Sequence, residues 1–258
     1  MTRLVQLSDL HIVAPDKQPV HGNDTISHLE RTVAAVNRLD PAPGFVLVTG
    51  DLTNDEQPAS YTRVKSLLEK LHAPVHLALG NHDERKTFRS VVLDEAHPSA
   101  DRYCYTFRQG EWRFVVLDSL DEGKVTGHID EDQLRWLADT LDADASTPTV
   151  VCLHHPPVPI DVAWLDALML IEPERLLSVF DARPCVRLVL CGHVHQPSVT
   201  HRGTYAVFTS PAVSFQFRRE PLPPPAEKPN AIMSPDPPAF RVVDLVGDTW
   251  QTRLVSLL

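Results

Sequence analysis

Short apolar runs that stop abruptly in aspartate, asparagine or histidine constrain this chain more than any other feature. Residues 4–7 are followed by Asp9 and His11, residues 45–48 by Gly50-Asp51, and residues 75–79 by Gly80-Asn81-His82-Asp83. Residues 149–153 lead into His154-His155, and residues 186–191 into Gly192-His193-Val194-His195. Apolar runs of this length, bounded by turn residues, read as buried strands. Helical patterns separate the first three: apolar side chains recur at Ile26, Leu29, Val33, Val36 and Leu39, and again over 61–71. Strand, helix, strand, helix, strand predicts an α/β fold with a parallel sheet of the doubly wound kind. In such sheets ligands bind outside the carboxyl ends of the strands, which is where the polar clusters fall.

The remainder is less regular. Residues 103–107 and 112–117 predict two strands joined at Gln109-Gly110, and 130–141 an amphipathic helix with Leu134, Leu137 and Leu141 on one face. The stretch 161–180 is helical in pattern and unusually apolar from Val162 to Ile171, which predicts packing over the core, a flap, or the surface of a homodimer. Residues 205–209 predict a strand, and 240–246 with 249–255 a closing hairpin around Gly247-Asp248. Residues 220–238 carry eight prolines and predict an irregular loop. No repeat or second core is visible, so a single domain over 1–258 is expected.

Charge and cysteine usage narrow the classes. A net charge of −10 argues against general nucleic-acid binding, which needs a basic face. No apolar run is long enough to span a membrane, and the first strand begins too early to leave room for a secretory signal. Cys104, Cys152, Cys185 and Cys191 form no CxxC pair and are expected to be reduced thiols in a cytoplasmic protein.

Any one of the terminal clusters is an ordinary turn. Five of them at five strand ends point to one polyvalent site. Imidazole and carboxylate together suit Zn, Fe, Mn or Co rather than Ca. Seven candidate ligands exceed one tetrahedral ion but suit two ions sharing a carboxylate. Two ions about 3.5–4 Å apart clamp the attacking and leaving oxygens of an in-line displacement and bring a bound water towards neutral pKa, supplying hydroxide as nucleophile. Hydrolysis of a phosphoester is the expected reaction.

The blocks Asp9-x-His11, Gly50-Asp51, Gly80-Asn81-His82-Asp83, His154 and Gly192-His193-x-His195 resemble, complete and in order, the signature of the calcineurin-like metallophosphoesterases. Ala163-Trp164-Leu165-Asp166, Leu190 to Gln196, Ser210-Pro211, Gln216-Phe217 and Phe240-Arg241 are similar to bacterial class III cyclic-nucleotide phosphodiesterases. The resemblance implies two packed mixed β-sheets flanked by helices, an αββα sandwich. It implies two divalent or trivalent ions, one held by Asp9, His11, Asp51 and His195, the other by Asp51, Asn81, His154 and His193. It leaves His82 to face the phosphate, stabilising charge or protonating the leaving oxygen, with Asp83 behind it orienting His82 or a backbone amide. A small phosphodiester, 3′,5′-cyclic AMP or a related cyclic nucleotide, is the implied substrate. Glycerophosphodiesters, phosphonate esters and phosphomonoesters are the alternative, and a nuclease or a scaffold without chemistry fits the charge and the intact ligand set poorly. Asn81, His82, His155 and the loop residue His21 are the candidate substrate contacts, with His155 otherwise supporting a ligand from behind and His21 otherwise an exposed loop histidine.

Overall fold

The structure, a computed structural model, describes residues 1–219 and 232–257. In chain order it runs β1 Thr2–Leu7, α1 Thr25–Asn37, β2 Phe45–Thr49, α2 Pro58–Leu68, β3 Val75–Ala78, α3 Arg85–Val91, β4 Tyr105–Gln109, β5 Trp112–Val116 and α4 Glu131–Asp142. It continues with β6 Thr149–Cys152, α5 Ala163–Asp166, α6 Pro173–Asp181, β7 Val186–Cys191, β8 Ser198–Arg202, β9 Tyr205–Thr209, β10 Ala239–Val246 and β11 Thr249–Ser256.

The strands form two mixed sheets, ordered β11-β10-β1-β2-β3 and β4-β5-β6-β7-β9-β8. β1, β2 and β3 are parallel, as their spacing predicts, and so are β5, β6, β7 and β9. The closing hairpin joins the first sheet, β10 lying antiparallel to β1.

Side-chain alternation sorts the core into layers. In the first sheet Val5, Leu7, Val46, Val48 and Leu77 meet Leu29 and Val33 of α1, Tyr61 and Val64 of α2, and Phe88 of α3. Their neighbours Leu4, Phe45, Leu47 and Ala78 turn the other way, onto Phe114, Val116, Val150, Leu188 and Leu190 of the second sheet. The far face of that sheet, with Val151, Val189 and Val207, is covered by Leu137 of α4 and by Leu177 and Phe180 of α6. The architecture is therefore an α/β sandwich of helices, sheet, sheet, helices. A doubly wound sheet would have helices on both faces; here the second cover is another sheet.

Three local readings change. The pattern over 161–180 is two short helices: the first ends at Asp166, and the second starts at Pro173, whose missing N–H is no loss at a first helical position, after Glu172 takes a left-handed φ of 49°. Its apolar side chains are divided: Val162 and Leu165 are buried against Ile160 and Val194, and Leu170 against the second sheet, while Ile171 is exposed. Two elements carry no apolar run and escape a sequence reading: α3, capped by the Glu84 carboxylate on the Lys86 and Thr87 amides, and the edge strand β8. The expected loop at 220–238 falls largely on 220–231, outside the described residues. All four cysteines are free thiols, and no helix among the described residues is long and apolar enough to cross a membrane.

Candidate metal centre

Parallel pairing within each sheet, and the packing of one sheet on the other, bring the carboxyl ends of β1, β2, β3, β6 and β7 together. Polar stitches fix this edge. Gln6 donates to the Thr49 hydroxyl at 3.1 Å and to the Cys191 carbonyl at 3.0 Å, and the His193 amide donates to Asp9 Oδ1 at 3.0 Å. The turns are too tight for side chains. A Cβ on Gly80 would lie 2.2 Å from Asp51 Oδ1, and one on Gly192 would lie 2.0 Å from Ser8 Oγ and 2.9 Å from the Thr49 carbonyl. Gly192→Ala is expected to cost about 1–3 kcal/mol, read as a fall in Tm of roughly 3–10 °C, because backbone blocks relaxation. An unchanged melting curve would contradict this.

The candidate ligands converge in two groups. In the first, His11 Nε2 and His195 Nε2 lie 3.1 Å apart, His195 Nε2 3.4 Å from Asp9 Oδ1, and His11 Nε2 3.5 Å from Asp51 Oδ2. In the second, His154 Nε2 lies 3.2 Å from His193 Nδ1, 3.2 Å from Asn81 Oδ1 and 3.3 Å from Asp51 Oδ2. The same oxygen of Asp51 faces both groups. Its other oxygen is committed, accepting the His82 amide at 2.9 Å.

Each imidazole is held by its far nitrogen. His154 Nδ1 donates to the Thr49 carbonyl at 2.7 Å, His195 Nδ1 to the Phe215 carbonyl at 2.6 Å, and His193 Nε2 to the Leu168 carbonyl at 2.9 Å. His11 Nδ1 reaches the Asn54 amide oxygen at 3.1 Å. These partners fix tautomers and aim bare nitrogens inward, as metal-binding imidazoles require. Bare nitrogens facing each other at hydrogen-bond distance repel unless a proton or a metal ion lies between them. The donor set, mixed N and O with one shared carboxylate, therefore fits two transition-metal ions. Asp9, His11, Asp51, His193 and His195 all have positive φ, from 47° to 72°. Strain of this kind persists only where the surroundings impose it, and it gathers at functional sites.

The other expected residues take distinct places. His82 is half-buried at the edge of the centre, its ring 4.9 Å from that of His11. Asp83 is buried and accepts the amides of Gly80 at 2.9 Å, Leu52 at 3.1 Å and Thr53 at 3.3 Å. It thus ties the β2 and β3 turns together through backbone amides. Burial and then the Asp51 charge push its carboxyl up to about 7, against the pull of those amides. His155, expected to touch substrate, is fully buried, with Nδ1 on the Ser119 hydroxyl at 2.8 Å and Nε2 on the Val125 carbonyl at 3.1 Å. That leaves it no free ring nitrogen for a substrate. His21 is exposed, its ring edge-on to Phe215 at 5.4 Å, beside the first group. A cavity of ≈ 680 Å³ lined by Arg85, Arg102, Cys104 and Trp136 includes none of the candidate site residues.

A family model for calcineurin-like phosphoesterases matches residues 2–197. The chain belongs to that family. Among the relatives of this calcineurin-like phosphoesterase, a protein of Pseudomonas aeruginosa named 3′,5′-cyclic adenosine monophosphate phosphodiesterase is 37% identical over 214 residues, covering 83% of this chain and 77% of its own. A 3′,5′-cyclic-nucleotide phosphodiesterase of Nostoc is 29% identical over 252 residues, 97% of this chain and 91% of that one. In fold, a dimetal phosphatase of Danio rerio superposes with a TM-score of 0.72 at 16% identity, covering 99% of this chain and 98% of the other.

Sequence reasoning overlooked the acceptors that orient the imidazoles. Three are main-chain carbonyls, which leave no side-chain signal. Asn54 is a side chain, and its place three residues after Asp51 was the available hint.

Electrostatics bear on how a metal could enter this candidate centre. Burial lowers the His11 and His193 imidazoles to about 3, so both are neutral. Burial also works against charge on His154, but Asp51 and Asp9 carry it up to about 9. In metal-free protein at neutral pH a proton therefore occupies His154, and an ion bound there must displace it. Metal affinity at this group is expected to rise with pH, about tenfold per unit, until about pH 9. Calorimetric titration at pH 7.5 in buffers of different ionisation enthalpy should show close to one proton released. No release would contradict the assignment.

Proposed function

We propose that this chain is a dinuclear-metal phosphodiesterase of small cyclic nucleotides, with 3′,5′-cyclic AMP as its first candidate substrate. The observation that carries the reading is the single Asp51 oxygen shared by two groups of inward-facing nitrogens and oxygens. The names of the P. aeruginosa and Nostoc relatives support the nucleotide. Asp9, His11, Asp51 and His195 would hold one ion, and Asp51, Asn81, His154 and His193 the other. Bound there, two ions would supply positive charge for the phosphoryl oxygens and lower the pKa of water towards neutrality.

The chain's own residues do the rest. The carbonyls of Thr49, Phe215 and Leu168 fix the orientation of the His154, His195 and His193 rings, so little reorganisation is needed during reaction. Half-exposed Asn81 and His82 meet the phosphodiester from the solvent side. His82 is placed to donate to a phosphoryl oxygen or to pass a proton to the leaving 3′-oxygen. Asp83 holds the Gly80–Asp83 turn against Leu52 and Thr53, which keeps His82 in place.

Metal-loaded protein should hydrolyse cyclic AMP, lose activity on chelation and regain it on adding Mn, Fe, Zn or Co. Relative kcat/KM over cyclic AMP, cyclic GMP, a glycerophosphodiester and a phosphonate monoester decides the substrate class. A preference for the glycerophosphodiester or phosphonate would replace cyclic nucleotides with a broad-specificity reading. Inactivity on all four would end the proposal.

A further inference from the structure

The rim of the metal centre is lopsided. Beside His154 and His193 it is built from backbone: the Val125 carbonyl on His155 and the Leu168 carbonyl on His193. Beside His11 and His195 it is aromatic. Phe215 stacks on His11 with centroids 5.3 Å apart, and Phe217 stacks on His195 at 4.2 Å and 26°. Trp164 meets the Phe217 ring edge-on at 5.3 Å.

Phe217 and Trp164 belong to none of the three main core layers. Phe217 bridges two small satellite clusters, one of Ile160, Val162, Leu165 and Val194, the other of Val13, Val20 and Phe215. Both aromatics stay half-buried, whereas Phe215 is almost fully covered. Aliphatic side chains would seal such small clusters. Large rings left half open against a ligand imidazole instead offer a flat apolar surface to something that arrives with the substrate.

We propose that Phe217 and Trp164 form the platform on which the nucleobase of the substrate stacks. This rests on the cyclic-nucleotide reading of the same centre. Only a ribose separates phosphorus from base in a 3′,5′-cyclic nucleotide, so a phosphate at the His11–His195 group puts the base over the neighbouring aromatic rim. Among the described residues the rings against His154 and His193 are histidines alone, and His155 is fully buried. Stacking reads ring area rather than a hydrogen-bond pattern, so purines bind better than pyrimidines here.

The test compares ligands that differ only in the base. Metal-loaded wild type is titrated with AMP and with ribose 5-phosphate by equilibrium dialysis, and Trp164 fluorescence is followed. Stacking on aromatic side chains predicts a preference for AMP of roughly 5- to 150-fold. Trp164→Ala and Phe217→Ala should each shrink that ratio, and Trp164→Phe should preserve most of it. The ratio of kcat/KM for cyclic AMP over base-free ribose 3′,5′-cyclic phosphate should fall in parallel. Equal affinity of wild type for AMP and ribose 5-phosphate overturns the platform and needs no variant to fold. A clear AMP preference in an enzyme that fails to hydrolyse cyclic AMP would leave the platform standing and sink the substrate assignment.

Discussion

Asp51→Ala is expected to empty the metal centre or leave a single ion, and to reduce phosphodiester hydrolysis by roughly 10³-fold or more. The geometry makes this the most damaging single change. One carboxylate oxygen faces His11 at 3.5 Å and His154 at 3.3 Å, so its loss removes a donor from both groups at once. The other oxygen accepts the His82 amide, so the turn carrying the candidate acid loses its tether as well. Charge stabilisation by bound ions is worth several kcal/mol in the transition state, and each 1.4 kcal/mol is about tenfold in rate. Elemental analysis of purified variant beside wild type checks the first part, and initial rates the second. Two ions at full occupancy in the variant would disprove the bridging role.

His82→Ala should behave in the opposite way with respect to metal. Both ions stay, and kcat falls by about 10²–10⁴, the range for loss of a general acid or an oxyanion donor. The His82 ring can be grouped with His11 and Asp51, their donor atoms lying within 4.8 Å of one another, so the structure also permits a ligand role. Metal content separates the two: a variant that loses one ion in proportion to its activity would make His82 a ligand.

The site was more legible in the sequence than the fold around it. Apolar runs ending in Asp9, Asp51, Asn81, His154 and His193 are local patterns, and a strand end is where a local pattern becomes a position in space. The two-sheet packing is not local. Leu4 and Val5 are equally apolar, and nothing in either says that one meets a sheet and the other a helix. The alternation alone suggested helices on both faces; the sandwich followed from the family resemblance. The stretch 161–180 misled because its apolar periodicity runs through Pro173, although a proline inside a helical pattern marks a boundary and here begins the second helix. His155 misled only as a substrate contact, since its ring packs behind His193. Adjacent to a candidate ligand in sequence, it points into the protein, where Ser119 and the Val125 carbonyl claim it.

The inter-sheet seam has one more consequence. Asp9, His11, Asp51 and Asn81 follow strands of the first sheet, and His154, His193 and His195 follow strands of the second. Each group of candidate ligands therefore draws from both sheets, and neither half of the sandwich owns a site. Catalysis becomes a gauge of alignment between the layers: a slip of one sheet over the other stretches both groups together. Side chains such as Leu47 and Phe114, buried in the interface, then hold the two sets of candidate donors in step.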